Sequence, residues 1–224
     1  MIFSAKKAII ISDLHVGLPY FKRSEFLKFL SCLPDNASLI LNGDTIDTPK
    51  KNLSLADNNV LDALKDEAEK RKVIWICGNH DVDYVMPDPG KIVFTTHVVL
   101  NNNIMITHGD DFENIMSQTL LFLRMFKFMH NVRIFLGANP VHVAYFAKKW
   151  LPFVYRILTE EVKKNAVLCA KENQFDMITC GHVHYTEDSL CEGVRYINTG
   201  TWTEEPLPYI EVNEDKIELK TFKL

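Results

Sequence analysis

Residues 6–15 read KKAIIISDLH, a short apolar run that is rich in isoleucine and ends in Ser, Asp and His. Four further stretches have the same form: ASLILNGD (37–44), KVIWICGNHD (72–81), NIMITHGDD (103–111) and FDMITCGHVH (175–184). Apolar runs this short, closed by turn residues, are typical of strands that are buried on both faces. The five stretches therefore predict five buried strands, each followed by a polar exit.

Amphipathic segments separate the first three of these strands. Ser24 to Leu33 and Leu53 to Lys72 carry apolar residues at helical spacing and predict two helices. Strands that alternate with helices indicate an α/β arrangement. Residues 91–109, 193–202, 207–212 and 216–224 predict further strands, which we expect to be antiparallel. The mixture predicts two packed sheets with helices outside them.

The composition indicates a soluble globular protein. The chain has 224 residues, of which 47% are hydrophobic and 24% charged, and a net charge of -4, which argues against a surface generally adapted to nucleic acid. The five cysteines include no C-x-x-C pair, so we expect reduced thiols in a cytoplasmic protein. The first apolar run is too short for a signal peptide, and no uncharged run reaches the roughly 18 residues of a spanning helix.

The polar exits of the five strands share one chemical character. Gly-Asp and Gly-Asn are ordinary turn dipeptides when taken singly. Together, however, the exits collect side chains that bind metals: Asp13, His15, Asp44, Asn79, His80, Asp81, His108, Asp110, His182 and His184. Carboxylate, amide and imidazole ligands without thiolate suit Mn, Fe, Zn or a similar divalent ion. Three further histidines, His97, His130 and His142, are interpreted as ordinary surface or core residues.

The ordered blocks D-L-H, G-D, G-N-H-D, H-G-D and G-H-V-H, from Asp13 to His184, resemble the signature of the calcineurin-like metallophosphoesterase superfamily. The resemblance implies a four-layer α/β/β/α sandwich with two divalent metal ions, for which Mn²⁺ is favoured and Fe, Zn, Ni or Mg are alternatives. It assigns three ligands to each ion and Asp44 to a bridging position. The ligands implied are Asp13, His15 and His184 for one ion and Asn79, His108 and His182 for the other.

The resemblance also implies the chemistry. Two ions about 3.5–4 Å apart activate a hydroxide that attacks phosphorus in line. His80 would stabilise the transition state and protonate the leaving oxygen, and Asp81 would orient its imidazole. Asp110 is expected either to support His108 or to cap a turn.

Residues 112–172 interrupt the rhythm of strands with a helical stretch inside a single domain, 1–224. This stretch contains nine Lys or Arg and four Glu, so it carries +5 while the remainder carries -9. One interpretation is a helical hairpin that simply packs on the sandwich. The other is a basic, apolar lid that receives an amphipathic phosphate ester and contacts the inner face of a membrane.

A helical insertion at this place, followed by YINTGTW, most resembles the branch of UDP-2,3-diacylglucosamine pyrophosphatases. Two features depart from that branch: it usually has Arg where His80 stands, and its G-H-T-H-x-P ending is replaced by GHVHYTED. The resemblance implies hydrolysis of a phosphoester or pyrophosphate. The alternatives are a metal-dependent nuclease or phosphodiesterase acting on soluble nucleotides and, less favoured, a scaffold that has lost catalysis.

Overall fold

Two six-stranded β-sheets form the centre of the molecule, as seen in a computed structural model that describes residues 1–47, 53–113, 117–214 and 216–223, with side chains left out at 117–124. In chain order the strands are β1 (Ile2–Phe3), β2 (Lys7–Ile11), β3 (Ser38–Asn42), β4 (Val73–Ile76), β5 (Val93–Thr95), β6 (His97–Leu100), β7 (Ile104–Thr107), β8 (Met177–Cys180), β9 (Glu187–Cys191), β10 (Val194–Asn198), β11 (Leu207–Asn213) and β12 (Lys216–Phe222). The helices are α1 (Arg23–Ser31), α2 (Leu55–Lys70), α3 (Ser117–Phe135), α4 (Val143–Trp150) and α5 (Pro152–Glu172).

The two sheets have different strand orders but the same mixed character. The first runs β12-β11-β2-β3-β4-β5, and β2 to β5 are parallel. The second runs β1-β6-β7-β8-β10-β9, and β7, β8 and β10 are parallel. The five predicted strands are all present. The expectation of antiparallel pairing holds for β11 with β12, whereas β10 pairs in parallel with β8 and antiparallel with β9.

Alternating side chains of the buried strands explain the layers. Ile10 of β2 points into a core between the two sheets, where it meets residues such as Ile106. Ile9 and Ile11 point the other way, into a core shared with α1 and α2. On the far side of the second sheet, Ile178 and its neighbours pack against α5. The order helix, sheet, sheet, helix confirms the predicted α/β/β/α sandwich.

Both predicted helices are present within two residues of their predicted ends. A capping box fixes the start of α2, because the Ser54 hydroxyl accepts from the Asp57 amide and the Asp57 carboxylate accepts from the Ser54 amide. The predicted insertion contains α3, α4 and α5, while its residues 114–116 lie outside the described residues. The last part of α5, around Ala166 and Ala170, forms the outer layer of the sandwich. In the described part of the chain, every helix is too short or too polar to span a bilayer.

Candidate metal centre

The carboxyl ends of β2, β3, β4, β7 and β8 meet at one edge of the sandwich, and the predicted site residues follow these ends. Backbone hydrogen bonds join the exits: the Asp13 amide donates to the Gly43 carbonyl at 3.0 Å, and the Gly181 amide donates to the His108 carbonyl at 2.8 Å. Five exit residues adopt left-handed backbone angles, with φ between 49° and 65°: Asp13, His15, Asp44, His182 and His184. Such angles strain residues other than glycine and are concentrated at functional sites.

Asp13, His15 and His184 form one cluster. The Nε2 atoms of the two histidines lie 3.0 Å apart, and Asp13 Oδ1 lies 3.1 Å from His184 Nε2. All three side chains are buried, and the His182 amide donates to both carboxylate oxygens of Asp13. The cluster therefore presents one carboxylate and two imidazoles around a small volume.

Asp44, His108 and His182 form a second cluster, with ligand atoms that all lie within 4.8 Å of one another. Asp44 Oδ2 lies 3.2 Å from His108 Nε2 and 3.9 Å from His15 Nε2, so this carboxylate stands between the two clusters. Its Oδ1 accepts from the His80 amide at 2.9 Å. A carboxylate in this position can contact a cation held by either cluster.

The hydrogen bonds of His108 test whether these residues suit a metal ion. Its Nδ1 lies 2.9 Å from the Asn42 carbonyl, which can only accept, so Nδ1 carries a proton. In the neutral ring, the lone pair of the buried Nε2 then faces the Asp44 carboxylate, and Nε2 has no hydrogen-bond partner among the described residues. Two electron-rich atoms 3.2 Å apart require a proton or a cation between them. The donor set therefore fits a divalent ion.

The pKa values of Asp44 and His108 show that positive charge is favoured between these two side chains. Burial disfavours the charged form of Asp44, yet His108, His15 and His80 hold the pKa of its carboxyl well below the usual range. Burial also opposes protonation of His108, but Asp44 and Asp13 outweigh it and raise the pKa of His108 to about 10. Without a metal ion, a proton on His108 supplies the positive charge that Asp44 requires.

His182 is oriented by a residue that the sequence analysis did not identify. Its Nε2 lies 2.8 Å from Glu113 Oε2, which leaves Nδ1 as the ring nitrogen free to meet a cation. A carboxylate behind a histidine ligand fixes the ring and increases its basicity. Glu113 follows the 3₁₀ turn of Asp110–Phe112. Asp110 begins this turn, and the ring of His108 is oriented by Asn42 instead.

Asn79 is the predicted ligand with the least support in the geometry. It is exposed, and its side chain makes no hydrogen bond among the described residues, although the next amide, that of His80, binds Asp44. Its role as a ligand stays a prediction.

The partner of His80 corrects one sequence-based assignment. His80 Nδ1 lies 2.9 Å from the Asp47 carbonyl oxygen and 3.3 Å from Asp47 Oδ1, and hydrogen bonding to Asp47 raises the pKa of His80 to about 9. Asp81, predicted to orient His80, instead accepts from the Gly78 amide, the Thr45 amide and Trp75 Nε1 at 2.6–2.9 Å. The prediction for Asp81 is wrong, because its buried carboxylate joins two loops to the core.

The helical insertion reaches the same edge. Lys148 donates to the His184 carbonyl at 2.8 Å and pairs with Glu204, and the Tyr155 hydroxyl donates to the Val183 carbonyl. His142, which the sequence analysis set aside, lies with its ring centroid 4.3 Å from that of His184. Both α4 and α5 are therefore fastened to the G-H-V-H loop.

Glycines allow the backbone to approach the carboxylates closely. A Cβ atom added at Gly181 would lie 2.4 Å from Asp13 Oδ2 and 2.8 Å from Ser12 Cβ, and one at Gly78 would lie 2.4 Å from Asp44 Oδ1. A separation of 2.4 Å is too short for a Cβ atom and a carboxylate oxygen, so either substitution would displace the carboxylate that it meets.

The Gly181→Ala substitution is therefore expected to displace Asp13. We expect metal affinity to fall about tenfold, as for loss of an outer-shell contact, and the free energy of unfolding to fall by about 1–3 kcal/mol. Calorimetric titration with Mn²⁺ and denaturant unfolding measure the two effects. Gly90→Ala is the control for metal affinity, because no atom lies within 4 Å of the added Cβ; its φ of +58° strains alanine, so this variant is expected to lose stability but to keep its metal affinity. Equal metal affinity in both variants would contradict the steric argument.

A family model for calcineurin-like phosphoesterases matches residues 6–186, which include every predicted site residue. The DNA polymerase II small subunits of Thermoplasma acidophilum and Pyrococcus furiosus are 25% and 24% identical over 234 and 247 residues. These alignments cover 87% of this chain but 45% and 37% of the relatives, so the chain spans less than half of their length.

The fold is also similar to that of a solved structure, vacuolar protein sorting 29 from Cryptosporidium parvum. The TM-score is 0.51 at 16% identity, with 97% of this chain and 91% of the other covered. At this identity the likeness is one of fold. The family match spans most of the chain and coincides with the clustered exits, and the chain therefore belongs to the calcineurin-like phosphoesterase family.

Proposed function

We propose that this chain hydrolyses a phosphoester or pyrophosphate bond with the help of two divalent metal ions. The observation that carries the proposal is the position of Asp44, whose carboxylate faces His108 at 3.2 Å and His15 at 3.9 Å and so lies between two clusters of metal-binding side chains. A bridging carboxylate between two oxygen and nitrogen sites is the arrangement that a dinuclear hydrolase needs.

Each cluster would hold one ion, and Mn²⁺ is the favoured metal. Asp13, His15 and His184 would bind the first, and Asn79, His108 and His182 would bind the second. When bound, such ions supply Lewis-acid polarisation of a phosphoryl oxygen and a lowered pKa for a water molecule. The protein would hold these ligands in place before metal binds. Backbone amides donate hydrogen bonds to the Asp13 and Asp44 carboxylates, and Asn42 and Glu113 contact the imidazoles of His108 and His182.

His80 would assist departure of the leaving group. Since Nδ1 is held by Asp47, Nε2 is the nitrogen available to the substrate, and a ring nitrogen of His80 lies within 4.8 Å of the ligand atoms of His15 and Asp44. In hydrolysis, a new bond forms between water oxygen and phosphorus while the bond from phosphorus to the leaving oxygen breaks. The proton of His80 would pass to that oxygen and neutralise its developing charge.

A cavity of about 670 Å³ beside the clusters would receive the rest of the substrate. It lies between the loop before α1 and the segment before α4, and its lining includes Tyr20, Lys22, His142 and Tyr145. The lining also includes Arg23 and three glutamates, Glu25, Glu204 and Glu205, so its charges are mixed, and the two tyrosines suit a flat organic group such as a nucleobase.

A lipid-linked pyrophosphate such as UDP-2,3-diacylglucosamine is the first candidate substrate. It is supported by the insertion, where Phe128, Phe135 and Phe153 have exposed fractions of 69%, 89% and 75%. An open apolar groove of about 510 Å³ is lined by Phe128, Met129 and Val132 of α3 and by Leu136 just after it, and it also includes Arg133. Exposed apolar surface next to cations suits acyl chains and an anionic membrane face.

A nuclease or a phosphodiesterase that acts on soluble nucleotides is the second candidate. Its support is the similarity to DNA polymerase II small subunits over 87% of this chain. The net charge of -4 counts against a large nucleic-acid surface, although the insertion carries an excess of basic residues.

An assay on four substrates tests the proposal and separates the candidates. We expect Mn-loaded protein to hydrolyse at least one of a diacylated UDP-sugar, bis(4-nitrophenyl) phosphate, 4-nitrophenyl phosphate and single-stranded DNA. Chelation should abolish the activity and added Mn²⁺ should restore it. Hydrolysis of soluble diesters with none of the UDP-sugar would remove the lipid candidate. Protein that binds metal and cleaves nothing would support the scaffold alternative, and protein that binds no metal would contradict the proposal altogether.

A further inference from the structure

His142 brings an imidazole from the helical insertion to the candidate metal centre. Its ring stacks on that of His184 with an interplanar angle of 29° and a centroid distance of 4.3 Å, and its centroid lies 5.1 Å from that of His15. The edge of Tyr20 lies on another side, at 5.8 Å. A ring nitrogen of His142 is within 4.8 Å of ring nitrogens of both neighbouring histidines. His142 is therefore a third histidine at the cluster of His15 and His184, although it is far from both in the sequence.

The local structure of α4 determines which nitrogen of His142 carries the proton. His142 is the N-cap residue of α4, and its Nδ1 accepts from the Ala144 amide at 3.2 Å. A nitrogen that accepts a hydrogen bond has no proton of its own, so the neutral ring carries its proton on Nε2. A protonated Nε2 has no lone pair to offer a metal ion. The cap therefore makes His142 a hydrogen-bond donor at the centre rather than a further ligand.

His142 lies at the cavity in which we propose that the substrate binds. His142 lines the cavity of about 670 Å³ together with Tyr20 and Tyr145, while its ring packs against His184. No acceptor for Nε2 is found in the described portion of the chain. Between a metal cluster and a substrate cavity, an anionic phosphoryl oxygen is the acceptor that this geometry suits.

We propose that His142 binds the substrate by donating from Nε2 to an oxygen of its phosphate group, so that the helical insertion takes part in recognition of the phosphate. This inference rests on the proposed function and deepens it. The insertion is held in the required position by Lys148 and Tyr155, which bind the carbonyls of His184 and Val183.

The His142→Asn substitution separates the donor from the cap. Asparagine is a good N-cap residue and can still accept from the Ala144 amide, but it is too short to replace Nε2. We expect the dissociation constant for inorganic phosphate, measured by calorimetry on Mn-loaded protein, to rise about tenfold, as for loss of one hydrogen bond to a charged group. The KM for a cleaved substrate should rise by a similar factor, with metal content and melting temperature unchanged.

His97→Asn is the matched control, because His97 is exposed on β6 and should give wild-type values throughout. Unchanged phosphate affinity in His142→Asn would overturn the inference, and so would loss of one metal equivalent, which would make His142 a ligand. Wild-type protein that cleaves substrate while His142→Asn behaves identically would remove this inference but leave the proposed function in place. Wild-type protein that binds neither metal nor phosphate would remove both.

Discussion

Asp44→Asn is expected to abolish binding of both metal ions and to reduce hydrolysis to background. The loss in metal affinity should exceed the 10–100-fold, or about 1.4–2.8 kcal/mol, that follows removal of an outer-shell partner, because the carboxylate faces both clusters. Its Oδ2 lies 3.2 Å from His108 Nε2 and 3.9 Å from His15 Nε2.

The Asp44→Asn substitution removes the negative charge of the side chain while nearly preserving its size and shape. Asparagine has nearly the size of aspartate, and its oxygen can still accept from the His80 amide, which binds Asp44 Oδ1 at 2.9 Å. What is lost is the negative charge in a side chain that is 2% exposed. The second cluster would then lack the carboxylate that balances the charge of a cation there, since Asp13 lies at the first cluster, with Oδ1 3.1 Å from His184 Nε2.

Metal content per chain by mass spectrometry and calorimetric titration with Mn²⁺ measure the effect. Asp62→Asn is the matched control, because Asp62 lies on α2 and its side chain is 66% exposed. A variant at Asp44 that keeps about two ions per chain would contradict the bridging role.

The sequence predicts the layered fold well because its evidence is local. Each buried strand is marked by a short apolar run, and alternate residues such as Ile9 and Ile10 must face opposite layers. Parallel pairing brings the exits of β2 and β3 to one edge, so the clustering of Asp13 and Asp44 follows from topology, whereas His108 reaches them from the other sheet. β9 was not predicted, since its residues EDSLC are half-exposed on a sheet edge and lack an apolar run.

The residues around the clusters depend on loop geometry that no local pattern encodes. Asp47 reaches the His80 ring only through the turn after β3, whereas Asp81, which the family resemblance implies as the partner, is its neighbour in the sequence. His142 and Glu113 come from the insertion, more than 40 and 60 residues from the histidines they approach, His184 and His182. A lone histidine beside no other ligand gives no signal of this kind until the helices are packed.

His80→Ala is expected to lower turnover by about 10²–10⁴-fold, the usual contribution of a general acid or base, with metal content unchanged. His80 donates to Asp44 through its backbone amide, which alanine retains. The imidazole itself is held by Asp47. Single-turnover rates and metal analysis on the same preparation measure the two quantities, and equal loss of metal and turnover would contradict the division of roles.

Substitutions of Asp47 and Asp81 test whether catalysis by His80 requires a carboxylate that orients its imidazole. Asp47→Asn should lower turnover in the same direction as His80→Ala but by less, because the Asp47 carbonyl still binds Nδ1 at 2.9 Å. Asp81→Asn should instead lower the free energy of unfolding by about 1–3 kcal/mol, since it opposes an amide to buried N–H donors. Those donors are the Gly78 and Thr45 amides and Trp75 Nε1. If Asp81→Asn lowered turnover as strongly as His80→Ala while stability stayed constant, Asp81 rather than Asp47 would be the residue on which His80 depends.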